Sequence, residues 1–403
     1  MEQINIYSDD RVISRIVVGN SIRIYDTDDI MECLKPYPKV YAVMDLQVVK
    51  KCPYILNLGV ALQQKNIPMR SIETSERDKT LETVMDICSW LLDHNADRDA
   101  LVLAVGGGIT TDMVGFAASI YKRGVRFAYV PTTLLSQVDA AIGGKTGVNF
   151  EKYKNILGVI RQPEFTFLTP QVLSTLPYRD FLSGAAELLK TFIIEDNGNY
   201  DEACRFLSMC SDEQKWKVAM ENHAGLDLPP LIAAAARVKA GVVSRDQFEK
   251  GERRKLNLGH TFAHAIETLA QKTGMDVTHG EAVAMGLVLA ARLAERLSEH
   301  LVTSQSDHQT IGVSDNPTTG QPEHPSGTSH KFVAQKGLAE RIETDLRYCG
   351  MRYICPFSVE EMADAMRKDK KAEGSKVHFV LPRAIGDVEI VDLTVGQVVN
   401  LMK

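Results

Sequence analysis

Ala100-Leu101-Val102-Leu103-Ala104-Val105-Gly106-Gly107-Gly108 decides the architecture of this chain. An unbroken apolar run that ends in glycines reads as a strand buried on both faces, the kind found in a parallel sheet. Helical sequence resumes at Thr110 and runs through Tyr121. The glycines therefore turn a strand into a helix, where backbone N–H groups can approach a phosphate at the positive helix end. The spacing is not G-x-G-x-x-G, because Thr111 stands where the third glycine would fall. A tight turn without a ligand fits the glycines equally well.

Further out, Lys39–Met44 and Arg126–Val130 are β-rich runs, and Thr80–Leu92 has helical periodicity. Strands alternating with helices predict an α/β domain with a crossover-connected sheet over residues 1–172. Beyond that point Tyr178–Glu195, Leu231–Val243, Gly259–Lys272 and Gly280–Glu299 are long helical patterns rich in Ala and Leu. Residues 173–403 are thus expected to form a second, helical domain, with one clear strand signal at Lys376–Leu381. The stretch 303–336 is dominated by Ser, Thr, Gly, Pro, His and Gln and reads as a flexible insertion. Its His308, His324 and His330 read as solvated loop histidines.

A chain of 403 residues with 44% hydrophobic and 24% charged residues has the composition of a soluble globular protein. Its net charge of −6 excludes a general nucleic-acid binder, yet leaves room for an anionic small substrate wherever lysines cluster. The seven cysteines are odd in number and contain no C-x-x-C pair, which points to a reducing compartment. Met1–Asp10 is charged and lacks an apolar stretch, and no apolar run approaches the ~18 residues of a membrane helix. A cytoplasmic protein that engages no membrane is expected.

Asp45 ends a strand, where an acid can bond adenosine ribose hydroxyls or simply cap a helix. Glu76 and Lys79 read as capping and surface-pair residues at a helix start. After Pro131-Thr132-Thr133-Leu134-Leu135 come Asp139, Gly143-Gly144-Lys145, Asn149, Lys154 and Asn155. Singly these read as a polar surface loop; together they suit a polyhydroxylated, phosphorylated substrate. Glu187 and Lys190 share one helix face among small and apolar neighbours, where a lone carboxylate is costly unless it binds a cation. In Asn257-Leu258-Gly259-His260-Thr261-Phe262-Ala263-His264, the two histidines are one helical turn apart, and His279 precedes the next helix. With Glu187 they make a surplus of metal ligands, since two histidines, a glutamate and an open position form a catalytic zinc site. Spacing leaves open which two histidines bind.

These motifs, in this order, resemble the 3-dehydroquinate synthase family of sugar-phosphate cyclases. The resemblance rests on Gly106-Gly107-Gly108, the Pro131–Leu135 stretch, Gly143–Asn149, Glu187-x-x-Lys190, Asn257-x-Gly259-His260-x-x-x-His264 and His279-Gly280-Glu281, and runs from about residue 40 to 390 outside the insertion. It implies a Rossmann-like NAD-binding domain, an all-α metal- and substrate-binding domain, a homodimer, and one zinc or cobalt ion. Glu187, His260 and His279 would hold the metal, and His264 would face the substrate. Asp45, Gln47, Glu76, Lys79, Gly106, Gly107, Gly108, Asp112, Thr132, Thr133 and Lys154 would serve NAD, and Asp139 and Lys145 both NAD and substrate. Asn155, Lys190, Lys239, Arg253, Asn257 and Lys370 or Lys371 would hold the substrate, while Arg123 would reach the neighbouring subunit's phosphate site. Gln47 stands where the family commonly has Asn, and Thr110-Thr111 where a glycine is usual before Asp112.

The implied reaction converts 3-deoxy-D-arabino-heptulosonate 7-phosphate to 3-dehydroquinate and phosphate, a step of aromatic amino-acid biosynthesis. It runs through oxidation at C5, phosphate elimination, re-reduction, ring opening and aldol closure. Another sugar-phosphate cyclase, or a metal-dependent NAD polyol dehydrogenase, is the alternative.

Overall fold

The computed structural model describes residues 1–19, 27–151, 153–222, 224–303, 332–369 and 376–403. The chain divides into two compact units, Met1–Leu188 with Asp212–Arg253, and Leu189–Ser211 with Arg254–Lys403. The change of composition near residue 172 falls at a 3-10 turn, Pro170–Thr175, just ahead of the helix Tyr178–Ile194.

The first unit contains β1 (Glu2–Ser8), β2 (Arg11–Val18), β3 (Val40–Asp45), β4 (Met69–Ile72), β5 (Leu101–Gly106), β6 (Arg126–Pro131), β7 (Lys145–Phe150), β8 (Tyr153–Ile160) and β9 (Phe165–Leu168). Seven of them form one sheet in the order β1-β2-β9-β6-β5-β3-β4, parallel throughout except for the antiparallel β1–β2 pair. The run that decided the fold is β5, central in the sheet and buried at every position, as is its neighbour β3. Both faces are covered, so neither strand shows polar alternation. On one face Val84, Ile87 and Leu91 of the helix Leu81–Asp93 and Met113, Val114 and Ala117 of the helix Gly108–Ile120 pack against Val43, Val102, Ala104 and Phe127. Each of these buried side chains larger than alanine contributes roughly 1.5–3 kcal/mol relative to exposure. Because the strands run in parallel, the C-terminal ends of β3, β5 and β6 bring Asp45, Gly106 and Pro131 to one edge, where open α/β sheets take their ligands.

Two hairpins were not anticipated. β1 and β2 are joined through Asp9 and Asp10 at φ 47° and 60°, a left-handed two-residue turn without the glycine that marks such turns in sequence. The stretch read as a polar loop after Gly144 is the antiparallel hairpin β7–β8. Most of β8 is exposed, so it lacks the half-buried alternation that identifies a strand.

In the second unit the helices Asn199–Ser208, His260–Thr273, His279–Thr303, Leu338–Tyr348, Val359–Asp369 and Val395–Met402 accompany one antiparallel hairpin, β10 (Lys376–Ala384) with β11 (Asp387–Thr394). The strand expected at Lys376–Leu381 is β10; its partner adds a small sheet to a domain expected to be all helical. Most of the insertion, residues 304–331, lies outside the described residues, as do Lys370 and Lys371. All seven cysteines are free, and no helix among the described residues is long and apolar enough to cross a membrane.

Candidate functional site

At the strand ends of the first unit, Asp45 is buried and caps the short helix Leu46–Lys51. One carboxylate oxygen accepts from the backbone N–H of Gln47 (2.8 Å) and Val48 (3.3 Å), and the other from the Thr74 hydroxyl. The capping reading of this residue is therefore realised. The Gln47 side-chain amide reaches Glu73 at 3.5 Å. Glu76 accepts from the Asn149 amide at 2.8 Å.

Lys79 departs from the surface-pair expectation. It is 5% exposed, donates to the Asp112 carboxylate at 2.6 Å, and also bonds the Asn155 side-chain oxygen. The reason is topological: Thr80 caps the Leu81–Asp93 helix, and the residue before the cap points back over the Gly108 helix. Burial raises the Asp112 carboxyl above the usual range, against the opposing pull of Lys79.

The glycine turn behaves as its sequence predicts. Gly107 occupies the N-cap of the Gly108–Ile120 helix, so no cap side chain takes up its first-turn N–H groups. Beside them Thr132, whose backbone N–H donates to Gly106 O at 3.0 Å, buries a hydroxyl that finds no partner among the described residues. An uncapped helix start with an orphaned hydroxyl fits the phosphates of a dinucleotide. Thr133 is bonded to Ser136 (2.8 Å).

A second set of polar groups lies deeper in the same unit. Lys239 is buried and donates to both the carbonyl and the carboxylate of Asp139. Arg253 is 2% exposed and donates to Gly143 O at 2.8 Å and to Gln247 O. Burial lowers its guanidinium from the ordinary value, while Glu249, Asp139 and Asp246 push it back up. Lys145 is ion-paired with Glu249, a residue that the sequence reading missed because it stands in a polar loop with no flanking pattern. Lys154 and Arg123 are exposed; Arg123 has a left-handed backbone (φ 70°) ahead of Gly124.

Glu187 and Lys190 lie on the helix Tyr178–Ile194, at 0% and 1% exposure, as their small and apolar neighbours in the sequence imply. Asn257 ends the 3-10 turn Glu252–Asn257. His260 opens the helix His260–Thr273 after Gly259 at φ 75°. That helix start lies backbone to backbone on the helix His279–Thr303: a Cβ on Gly286 would fall 2.3 Å from Gly259 O. The close approach leaves the His260 ring 5.4 Å from His279 and 5.6 Å from His264, centroid to centroid. His260 Nδ1 lies 3.1 Å from Leu258 O, which can only accept, so the proton sits on Nδ1 and the lone pair on Nε2. His279 Nδ1 faces Glu267 at 3.5 Å in the same manner.

Ligand atoms of Glu187, His260 and His279 lie within 4.8 Å of one another, whereas His264 is outside that group and exposed. Two imidazoles and a carboxylate suit zinc or cobalt.

Residues 69–183 match a family model described as 3-dehydroquinate synthase N-terminal, and residues 184–318 one described as 3-dehydroquinate synthase C-terminal. The 3-dehydroquinate synthase of Acaryochloris marina (strain MBIC 11017) is 34% identical over 373 residues, which is 92% of this chain and 89% of that one. Among solved structures, 2-epi-5-epi-valiolone synthase from Streptomyces hygroscopicus subsp. jinggangensis 5008 with NAD+ and Zn2+ bound is 25% identical, with a TM-score of 0.76 over 99% of this chain and 98% of that one. A 2-deoxy-scyllo-inosose synthase complexed with carbaglucose-6-phosphate, NAD+ and Co2+ shares the fold at 22% identity and TM-score 0.75, over 100% and 99% of the two chains.

Proposed function

This chain belongs to the 3-dehydroquinate synthase family, which makes 3-dehydroquinate by phosphate elimination and cyclisation, and we propose how its own residues divide that work. The substrate is 3-deoxy-D-arabino-heptulosonate 7-phosphate. NAD would be held by Asp45, Gln47, Glu76, Lys79, Gly106, Gly107, Gly108, Asp112, Thr132, Thr133 and Lys154, with Asp139 and Lys145 serving both NAD and substrate, and one divalent ion, zinc or cobalt, by Glu187, His260 and His279. When bound, NAD supplies a regenerable hydride acceptor and the metal a positive charge that acidifies the substrate's C5 hydroxyl.

The protein's own groups bind and orient. Arg253, Lys145, Lys239, Lys190, Asn155 and Asn257 meet the substrate's phosphate, carboxylate and hydroxyls, with Lys370 or Lys371 and the partner-directed Arg123 completing the cationic set. Asp139 pairs with the Lys239 ammonium and fixes it in place. His264 moves a proton at the substrate. Fixed cations at both ends of the sugar acid hold the reacting carbon in one orientation without reorganisation during the reaction.

The observation that carries this reading is the burial of cations. Of the substrate-directed cations, Lys190, Lys239 and Arg253 are all less than 9% exposed. Such a concentration is costly for a fold alone and suits a substrate with two anionic groups. A polyol dehydrogenase has no comparable anions to offer. Phosphate release is therefore expected from the heptulosonate 7-phosphate and to fall at least about a hundredfold for a heptulose 7-phosphate lacking the carboxylate. The opposite preference would point to another sugar-phosphate cyclase.

A homodimer is part of the same proposal, supported by exposed Phe150, Tyr153, Ile156 and Val159 on the β7–β8 hairpin. A cytoplasmic setting is supported by the seven free thiols.

A further inference from the structure

The loop from Asp246 to Arg253 joins the helix Ala224–Arg245 to the 3-10 turn Glu252–Asn257. It carries two groups that reach the Gly143-Gly144-Lys145 turn. Glu249 pairs with Lys145, and Arg253 donates to Gly143 O at 2.8 Å. The second contact is possible only at glycine: Gly143 has φ 101°, and a Cβ there would stand 2.6 Å from the Arg253 guanidinium.

The loop backbone is not in a resting shape. Glu249 is left-handed at φ 59°, a conformation unfavourable for a side-chain-bearing residue. One side chain holds it there. An oxygen of Asp246 accepts from Lys250 N–H at 3.0 Å, and the other from Gly251 N–H at 2.7 Å and Arg253 N–H at 3.0 Å. Asp246 is itself anchored, its N–H closing the preceding helix on Val242 O at 3.0 Å. Arg253 is thus fixed at both ends, by its backbone to Asp246 and by its guanidinium to Gly143 and Gln247. Partial burial alone would raise the Asp246 carboxyl, but the three N–H groups outweigh it and hold it below the usual range.

We propose that Asp246 is a positioning residue: its carboxylate sets the 246–253 loop so that Glu249 holds Lys145 and Arg253 is presented to the Gly143–Lys145 turn and the substrate anions. This rests on the reading of Lys145 and Arg253 as substrate-binding groups. A carboxylate is needed because all three partners are donors. Asparagine offers one acceptor oxygen and would turn an NH2 toward the remaining N–H groups.

The test uses the full chain with NAD and zinc. Asp246→Asn is expected to raise KM for the heptulosonate 7-phosphate about tenfold or more, as loss of charge-assisted hydrogen bonds predicts. NAD affinity falls less, by about threefold at most, because the loop touches the NAD-serving residues only at Lys145, through Glu249, and leaves Asp45, Gly106 and Thr132 at the strand ends untouched. The Lys250, Gly251 and Arg253 amides are expected to exchange hydrogen about tenfold faster or more, with the rest of the chain unchanged. Asp246→Glu, which keeps the acceptors, recovers most of the KM, and its exchange pattern decides the matter if the Asn variant does not fold. An unchanged KM with unchanged loop exchange overturns the proposal, as does an equal loss of NAD affinity and melting temperature. If the wild-type chain releases no phosphate, the functional reading fails, while the exchange comparison still reports on the clamp.

Discussion

Two lysine–aspartate pairs of the first unit have the same chemistry and opposite meaning. Lys39–Asp97 joins side chains that are 50% and 40% exposed, whereas Lys79–Asp112 joins side chains that are 6% and 20% exposed. Water screens the first pair and already solvates each partner, so its loss removes little. The second has given up most of its hydration, and breaking it leaves a buried charge unanswered. Position relative to the strand ends, rather than residue type, separates a surface ion pair from part of a site.

The largest effects should come from the groups most committed to chemistry. His279→Ala is expected to lose the metal and to slow phosphate release on the order of a thousandfold, whereas His264→Ala should keep the metal while losing activity. Elemental analysis of the two purified variants decides this, and metal retained in His279→Ala but lost in His264→Ala would reassign the ligands. Arg253→Ala should follow, with kcat/KM reduced about a hundredfold in a phosphate-release assay; an unchanged value would show that burial at this position serves only the fold. Lys79→Met should cost about 3 kcal/mol in urea unfolding and weaken NAD binding. Lys39→Ala should leave both unchanged. Equal losses in these last two would erase the contrast between the pairs.

The parallel core was readable because doubly covered strands are written as apolar runs, as in β3, β5 and β6. β8 was not, since its faces are largely wet, nor was β11, since half-burial on both faces erases the alternation, and the Asp9-Asp10 turn carries no glycine. The glycine turn, Glu187 and the histidines stood out as residue types unusual for their surroundings. Glu249 and Asp246 did not, because acids in a polar loop are ordinary until the chain brings Lys145 and three backbone N–H groups to them. Nor could spacing divide the histidines: His264 and His279 lie almost equally far from His260, and it is the exposure of His264 and the Glu267 partner of His279 that set them apart.

The most direct test of the account follows phosphate and NADH in one cuvette, with the heptulosonate 7-phosphate in large excess over NAD and zinc or cobalt present. Phosphate is predicted to accumulate to many equivalents per NAD, with no build-up of NADH absorbance. NADH rising in step with substrate consumed, or no phosphate released from the metal-loaded protein, would contradict it.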